Sequence, residues 1–150
     1  MKKWLTVVAA VVISTGAFAA AGWETDFEKA KTMAKEQDKY ILIDFSGSDW
    51  CGWCIKLDKE VFQQQAFKDY AKEGLVLMLA DFPNDKSKQS AEVIKQNEKL
   101  AKEFGVRGFP TVFVLDPDGR IVGKTGYQQG GPEAYIAHIK KIIADGNAKK

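Results

Sequence analysis

The only two cysteines of the chain, Cys51 and Cys54, are three positions apart. An apolar run at 40–45 precedes them and predicts a buried strand, and an amphipathic segment follows them. At this spacing the two sulfurs meet when the second cysteine lies on the first turn of a helix. The pattern therefore predicts a Cys-x-x-Cys pair that alternates between a dithiol and a disulfide.

The position of Cys51 just ahead of a helix favours its thiolate form. Unpaired backbone N–H groups and the positive end of the helix dipole both stabilise an anion at that point. A free cysteine has a pKa of about 8.5, and only its thiolate attacks a disulfide, so we expect Cys51 to be the exposed nucleophile. Cys54, one turn further in, is expected to be the resolving thiol that attacks the mixed disulfide at Cys51.

Three other roles for two cysteines at this spacing have less support from the sequence than redox chemistry. A structural disulfide at this spacing closes too small a ring to restrict the unfolded chain much, and it stays open as an alternative. A zinc site needs three or four ligands, and the sole histidine, His138, lies far along the chain. Covalent haem attachment requires a histidine directly after the second cysteine, where Ile55 stands. We therefore expect no metal site.

Four further residues near the cysteines are assigned to the site. Trp50 and Trp53 offer an apolar surface to a partner chain, and Gly52 permits close backbone approach. Asp44 lies in the preceding apolar run, where a buried carboxylate is costly unless it has a task or a partner. We predict that Asp44 accepts the Cys54 proton during resolution, through water. The alternative is an acid at the strand end that is solvated or paired with a lysine.

The start of the chain predicts export. Residues 1–19 have the pattern of a bacterial signal peptide: two lysines, an apolar core at 4–13 and an Ala-x-Ala site, with a second cleavage option after residue 21. An uncleaved anchor is the alternative, although the apolar core is short for a bilayer span. The remaining length predicts one domain at 22–146, followed by a frayed tail at 147–150.

The charge balance argues against a nucleic-acid partner. The whole chain has 22 basic and 20 acidic residues, and removal of the signal peptide with Lys2 and Lys3 leaves 20 of each. The charges are interspersed, and no basic patch alternates with aromatic residues. We therefore do not expect this protein to bind nucleic acid.

Apolar periodicity predicts alternating helices and strands in the domain. A capping pattern at Thr25-Asp26-Phe27-Glu28 predicts a first helix, with Trp23 on its apolar stripe. A helix with a break at 63–65 separates the first strand from the second and suits a right-handed parallel crossover. The other predicted elements are a strand at 75–80, a polar loop at 82–88, a helix at 93–104, a hairpin of strands at 111–115 and 121–126, and a last helix from Pro132 with His138 on its surface.

This order of elements, with Cys-x-x-Cys opening the crossover helix, resembles the thioredoxin fold. Two motifs carry the resemblance: Trp50-Cys51-Gly52-Trp53-Cys54 after Ile43-Asp44-Phe45, and Val106-Arg107-Gly108-Phe109-Pro110-Thr111 before a strand. The resemblance covers roughly residues 23–145. It implies an α/β fold with a central mixed sheet flanked by helices, an N-terminal helix, and an extended loop–helix insertion at 82–104.

The resemblance also assigns roles to the second motif. The resemblance implies that Pro110 is a cis-proline beside the redox pair. It also implies that Phe109 offers backbone groups to an extended client segment. Without it, this segment would be interpreted as a turn entering a strand. The chain departs from thioredoxin at Trp53, where thioredoxin has a proline that influences the redox potential. The signal peptide and Gly-Ser-Asp-Trp-Cys-Gly-Trp-Cys are together most similar to the exported thioredoxin-like branch of the family.

The resulting prediction is a periplasmic or secreted thiol–disulfide oxidoreductase that reduces or isomerises disulfides in cysteine-containing extracytoplasmic proteins. Outside the cytoplasm a lone Cys-x-x-Cys is normally oxidised, so a reducing role needs an electron donor such as a membrane-embedded thiol reductase. We expect a monomer with no cofactor beyond the redox-active disulfide Cys51–Cys54. The alternative is a non-catalytic thioredoxin-like binding module whose disulfide only stiffens the helix start.

Overall fold

The computed structural model of the protein describes residues 22–149, and the predicted signal peptide at 1–19 lies outside the described residues. Five strands form its centre: β1 (Trp23–Glu24), β2 (Tyr40–Ser46), β3 (Leu75–Asp81), β4 (Thr111–Leu115) and β5 (Ile121–Thr125). They lie in the order β1-β3-β2-β4-β5. Since β2 pairs in parallel with β3 and antiparallel with β4, the sheet is mixed, as predicted.

Helices cover both faces of this sheet, in the predicted order. They are α1 (Phe27–Gln37), α2 (Gly52–Leu57), α3 (Gln65–Gly74), α4 (Ala91–Glu103) and α5 (Gly131–Asn147). A 3₁₀ turn at Lys86–Lys88 lies in the predicted polar loop that leads into α4. None of the helices in the part of the chain that the structure describes is long and apolar enough to cross a bilayer.

The N-terminal region differs from the prediction in two details. The N-cap of α1 is Asp26 and not Thr25, because the Asp26 backbone is extended and its carboxylate accepts the N–H of Lys29 at 2.9 Å. Trp23 lies on the edge strand β1, opposite Leu77, and not on the apolar stripe of α1. A strand of two residues is too short to show the alternation by which strands are recognised.

Alternation along β2 divides the core between the two faces of the sheet. Ile41, Ile43 and Phe45 are fully buried on one face, under α1 and α4. Leu42 is fully buried on the other face, under α3 and α5. Asp44 shares the parity of Leu42 and so points to this second face. Burial on both faces sets the register of the strand that leads into the cysteines.

The crossover from β2 to β3 consists of three helical pieces. After α2, a π-helical turn occupies Asp58–Phe62, and α3 begins at Gln65. The break between the pieces coincides with the predicted interruption at 63–65. Phe62 of the π-helical turn packs against Phe67 of α3, with ring centroids 5.0 Å apart, and this contact holds the pieces together.

The prediction of His138 as a surface residue is wrong. His138 is half-buried on α5, and its Nε2 lies 2.8 Å from Oγ1 of Thr125 at the end of β5. The contact arises because α5 packs across β5.

Gly123 of β5 lies where α5 packs closely against the strand. A β-carbon at Gly123 would overlap Cγ2 of Ile142 on α5. We expect Gly123→Ala to lower the free energy of unfolding, measured in urea on the oxidised protein, by about 1–3 kcal/mol, the usual cost of overpacking. The control is Gly74→Ala, because no atom lies within 4 Å of an added carbon there. Equal stability of the two variants would contradict the close approach of α5 to β5.

Candidate functional site

The redox pair lies at the start of α2. Cys51 is the N-cap residue of this helix, and its Sγ accepts the backbone N–H of Cys54 at 3.2 Å. The two cysteines form a disulfide, with their Cα atoms 5.2 Å apart. The structure therefore places Cys51 where the N–H groups of the first helical turn stabilise a thiolate.

Cys51 is more buried than predicted. Cys51 is 6% exposed and Cys54 2% exposed, so the expectation of an exposed Cys51 is wrong for the disulfide state. The cause is local: the disulfide and the N–H of Cys54 turn the Cys51 sulfur back onto the helix. Cys51 remains the more accessible of the two. Gly52 beside it is exposed, and an added β-carbon there would meet no atom within 4 Å.

The loop before the cysteines is anchored to the last residue of β3 and to the segment that follows this strand. The Ser48 N–H donates to the carboxylate of Asp81 at 2.9 Å. Asp49 accepts the N–H groups of Asn84 and Asp85 at 2.8 and 3.0 Å, and these hydrogen bonds lower the pKa of Asp49. Sequence analysis missed both anchors, because their partners lie more than 30 residues away and no pattern within either loop indicates the pairing.

Trp50 and Phe109 form one flank of the redox pair. The indole Nε1–H of Trp50 donates to the carbonyl of Phe82 at 2.7 Å, and its ring lies edge-on to Phe109, with centroids 5.8 Å apart. Phe82 also packs against Phe109, at 5.2 Å. The peptide bond between Phe109 and Pro110 is cis. The structure thus brings together two predicted motifs that are far apart in sequence, and Trp50 remains 47% exposed.

Trp53 belongs to a different cluster, on the α5 side of the sheet. Its ring lies 5.1 Å from that of Tyr127, and the Lys56 ammonium lies 5.1 Å from the Trp53 ring centroid. The Tyr127 hydroxyl donates to Glu60 at 2.6 Å, which orients the tyrosine. Trp53 is 57% exposed and keeps a large apolar surface for a partner chain. Sequence analysis missed Tyr127 and Lys56, although Lys56 lies only two residues after Cys54.

Asp44 is buried beneath the redox pair without the partner that a buried carboxylate needs. It is 4% exposed, and its Oδ1 accepts no hydrogen bond. Asp44 and Cys54 line the same pocket, which has a volume of about 230 Å³. Burial raises the pKa of Asp44 to about 8, and the negative charges of Asp58 and Asp81 contribute to the increase. No lysine lines this pocket, so the alternative of a lysine-paired acid finds no partner there.

Asp58 is a pocket residue that sequence analysis missed. It lies four residues after Cys54, a spacing that places two side chains on one face of a helix. Its backbone N–H donates to the carbonyl of Cys54. An acid at this spacing from a cysteine is the signal that could have found it. Among residues 22–149, no cluster of three or more His, Cys, Asp or Glu side chains is placed to hold a metal ion.

Comparisons with known proteins agree with this geometry. A family model described as a thioredoxin-like domain matches residues 27–143. The chain is 34% identical over 121 residues to the disulfide bond reductase DsbH of Chlamydia pneumoniae, covering 81% of this chain and 72% of DsbH. It is 25% identical over 130 residues to the thiol-disulfide oxidoreductase ResA of Bacillus anthracis, covering 79% and 72% of the two chains. A solved structure named DsbH oxidoreductase matches with a TM-score of 0.77 and 29% identity, over 95% of both chains.

These matches confirm the predicted thioredoxin fold. The matched residues 27–143 include Asp44, the redox pair and the segment around Pro110. The relatives are named for thiol–disulfide chemistry, which a Cys-x-x-Cys pair at a helix N-terminus is built to perform. The chain belongs to the thioredoxin-like family and is a thiol–disulfide oxidoreductase.

Proposed function

We propose that the protein reduces disulfide bonds in exported client proteins, with Cys51 as nucleophile and Cys54 as resolving thiol. The observation that carries the proposal is the position of Cys51 at the N-cap of α2, with Cys54 behind it in the pocket that contains Asp44. Isomerisation begins with the same attack by Cys51, but a client thiol completes it instead of Cys54. A buried proton acceptor beside Cys54 therefore favours reduction, as does the similarity to a relative named as a reductase.

The reaction consists of two exchanges between thiols and disulfides. The Cys51 thiolate attacks one sulfur of the client disulfide, which forms a mixed disulfide and releases the first client thiolate. Cys54 then loses its proton and attacks the Cys51 sulfur. This second step forms the Cys51–Cys54 disulfide and releases the other client thiolate, so the client gains two electrons and the protein loses two.

Asp44 is the proton acceptor for the second step. A thiol buried beneath a mixed disulfide has little access to bulk water, so its proton needs a nearby base. Asp44 lines the same pocket as Cys54, and the pocket is large enough to hold water between them. A carboxylate whose pKa is about 8 is a stronger base than an exposed aspartate. Its pKa is also closer to that of an ordinary cysteine thiol, which favours proton transfer between the two groups.

The client binds across the two aromatic flanks of the redox pair. Trp50 and Trp53 supply exposed apolar surface on opposite flanks, and Gly52 between the cysteines adds no side chain. Phe109, ahead of cis-Pro110, offers its backbone groups to an extended client segment, in the manner of an added strand.

The protein works outside the cytoplasm and receives its electrons from another dithiol. The signal-peptide pattern at 1–19 supports this location. Each turnover leaves the Cys51–Cys54 pair oxidised, so a thiol relay has to reduce it, and a membrane-embedded thiol reductase is the class of donor that reaches this compartment.

Replacement of the resolving thiol tests the catalytic assignment. We expect Cys54→Ser to accumulate mixed disulfides with client proteins through Cys51, because the second exchange is blocked. Non-reducing electrophoresis and mass spectrometry of the trapped species would measure them. Cys51→Ser, which leaves only the less accessible thiol, is the matched control and should trap few clients. Equal trapping by both variants would contradict the assignment of Cys51 as nucleophile.

The reduction potential of the Cys51–Cys54 pair tests the direction of electron flow. Thioredoxin-fold proteins range from about −270 mV for the reductant thioredoxin to about −120 mV for a strong oxidant. We expect equilibration of residues 22–150 with a dithiothreitol couple to give a value nearer the reducing end. A value near the oxidising end would instead make the protein a disulfide donor.

The raised pKa of Asp44 predicts how stability depends on pH. An unfolded aspartate has a pKa of about 3.9, so the stability associated with neutral Asp44 is fully present below pH 4 and is lost as the pH rises through 8. Asp44→Asn should therefore raise the free energy of unfolding by several kcal/mol at pH 8, at about 1.4 kcal/mol per pH unit between the two pKa values. The difference should shrink toward zero near pH 4. Urea unfolding from pH 4 to 9 measures it, and a difference that does not vary with pH would refute the raised pKa.

A further inference from the structure

The pocket beneath the redox pair contains a second carboxyl group that the reaction above does not use. Asp44 reaches this pocket from β2, and Asp58 reaches it from the π-helical turn after α2. Cys54 lines the same pocket, and its carbonyl accepts the N–H of Asp58. One thiol and two carboxyl groups therefore share a single space of about 230 Å³.

The two carboxyl groups differ in their access to solvent. Asp44 is 4% exposed, and its Oδ1 is buried without a hydrogen-bond partner. Asp58 is half-buried, and its Oδ2 accepts the side-chain amide of Gln63, an exposed residue. Asp58 therefore lies nearer the solvent than Asp44, in the pocket that both carboxyl groups share with Cys54.

Among residues 22–149, no lysine, arginine or histidine lines the pocket with Asp44. Asp58 faces it from the π-helical turn and Asp81 from the end of β3, and both negative charges disfavour its ionisation. Asp81 does not line the pocket, and it accepts the N–H and the hydroxyl of Ser48. The residues that face Asp44 from the other packed elements are neutral. They are Cys54 of α2, Val112 of β4, and Tyr135 of α5, whose hydroxyl donates to the carbonyl of Gly126. Asp58 is thus the charged group that shares the pocket with Asp44.

We propose that Asp58 is a positioning residue for the resolving step: its carboxylate keeps Asp44 ready to exchange a proton with Cys54 and passes that proton on to solvent. The inference rests on the proposed function and adds a second residue to the proton path. Its basis is the shared pocket, the buried Oδ1 of Asp44 without a partner, and the spacing of four residues between Cys54 and Asp58.

The proton path has three balanced steps. Asp44, as the carboxylate, takes the proton of the Cys54 thiol and becomes neutral while the thiolate attacks the Cys51 sulfur. Neutral Asp44 then passes the proton to the Asp58 carboxylate, directly or through water in the pocket. Asp58 releases it to bulk solvent or buffer, which restores both carboxylates. No redox partner is needed beyond the client disulfide.

A first experiment measures the charge coupling directly. In reduced protein with ¹³C-labelled aspartate, the Asp44 carboxyl is titrated by NMR in the native chain and in Asp58→Asn. The asparagine keeps the shape of the side chain and can still pair with Gln63. We expect the substitution to lower the pKa of Asp44 by roughly 0.5–1, since one negative charge is removed from the pocket. Asp69→Asn removes an equal charge from the exposed face of α3, outside the pocket, and should leave this pKa unchanged.

A second experiment measures the proton path. Reduced protein is mixed with excess disulfide-bonded peptide, and the decay of the mixed disulfide is followed by acid quench, alkylation and mass spectrometry from pH 5 to 9. We expect Asp58→Asn to move the inflection of the resolving step to lower pH. The substitution should also slow the resolving step at high pH by a factor on the order of ten. This loss is smaller than the roughly 10²–10⁴-fold rate loss expected when a direct general acid or base is removed. Added imidazole should speed the variant but not the native protein, and Asp58→Glu should restore the native profile.

The outcomes separate this inference from the function on which it rests. An unchanged Asp44 pKa in Asp58→Asn, or a resolving step with native rate, inflection and insensitivity to imidazole, would overturn the role of Asp58. Trapping of clients by Cys54→Ser would persist in that case, so the reductase function would stand. Failure of Cys54→Ser to trap clients would count against the proposed function itself, whatever Asp58→Asn shows.

Discussion

The parallel pairing of β2 with β3 is the constraint on which the site depends. These strands end together, with Ser46 opposite Asp81. The loop that carries the redox pair therefore leaves the sheet beside the segment that follows β3. This adjacency lets Ser48 and Asp49 hydrogen-bond across the gap and lets the Trp50 indole reach the Phe82 carbonyl. The start of α2, and with it the Cys51 sulfur, is held in place by contacts that depend on the strand pairing.

The same strand creates an energetic conflict that serves the chemistry. Alternation along β2 directs residue 44 into the pocket under α2, where an apolar side chain would be the stable choice. An aspartate there has an oxygen without a hydrogen-bond partner and a pKa raised to about 8. Stability is thus lost at the point where a base is needed, a pattern typical of sites under functional constraint. The neighbouring residues Ile43 and Phe45 are fully buried and contribute stability to the same strand.

The sequence predicts the parts of the site that depend on local order. A strand followed by a helix is visible as apolar periodicity, so the position of Cys51 at the helix start and the burial of Asp44 could be inferred from residues 40–57. The cis bond before Pro110 has no such signal and was expected only from the resemblance to thioredoxin. The burial of Cys51 was missed because it depends on how the closed disulfide folds back onto the helix. Asp49 was missed because its partners are fixed by tertiary structure alone.

The distribution of tryptophan gives the protein a set of internal optical reporters. Three of the four tryptophans border the site, each against a different part of it. Trp50 lies against Phe109, Trp53 against Tyr127, and Trp23 lines the pocket beneath Cys54 and contacts Phe62. Indole absorption and emission respond to hydration and to nearby groups, so each ring reports on its own surroundings. Variants that retain a single indole would distinguish coverage of either flank from a change in the buried pocket, without an added label.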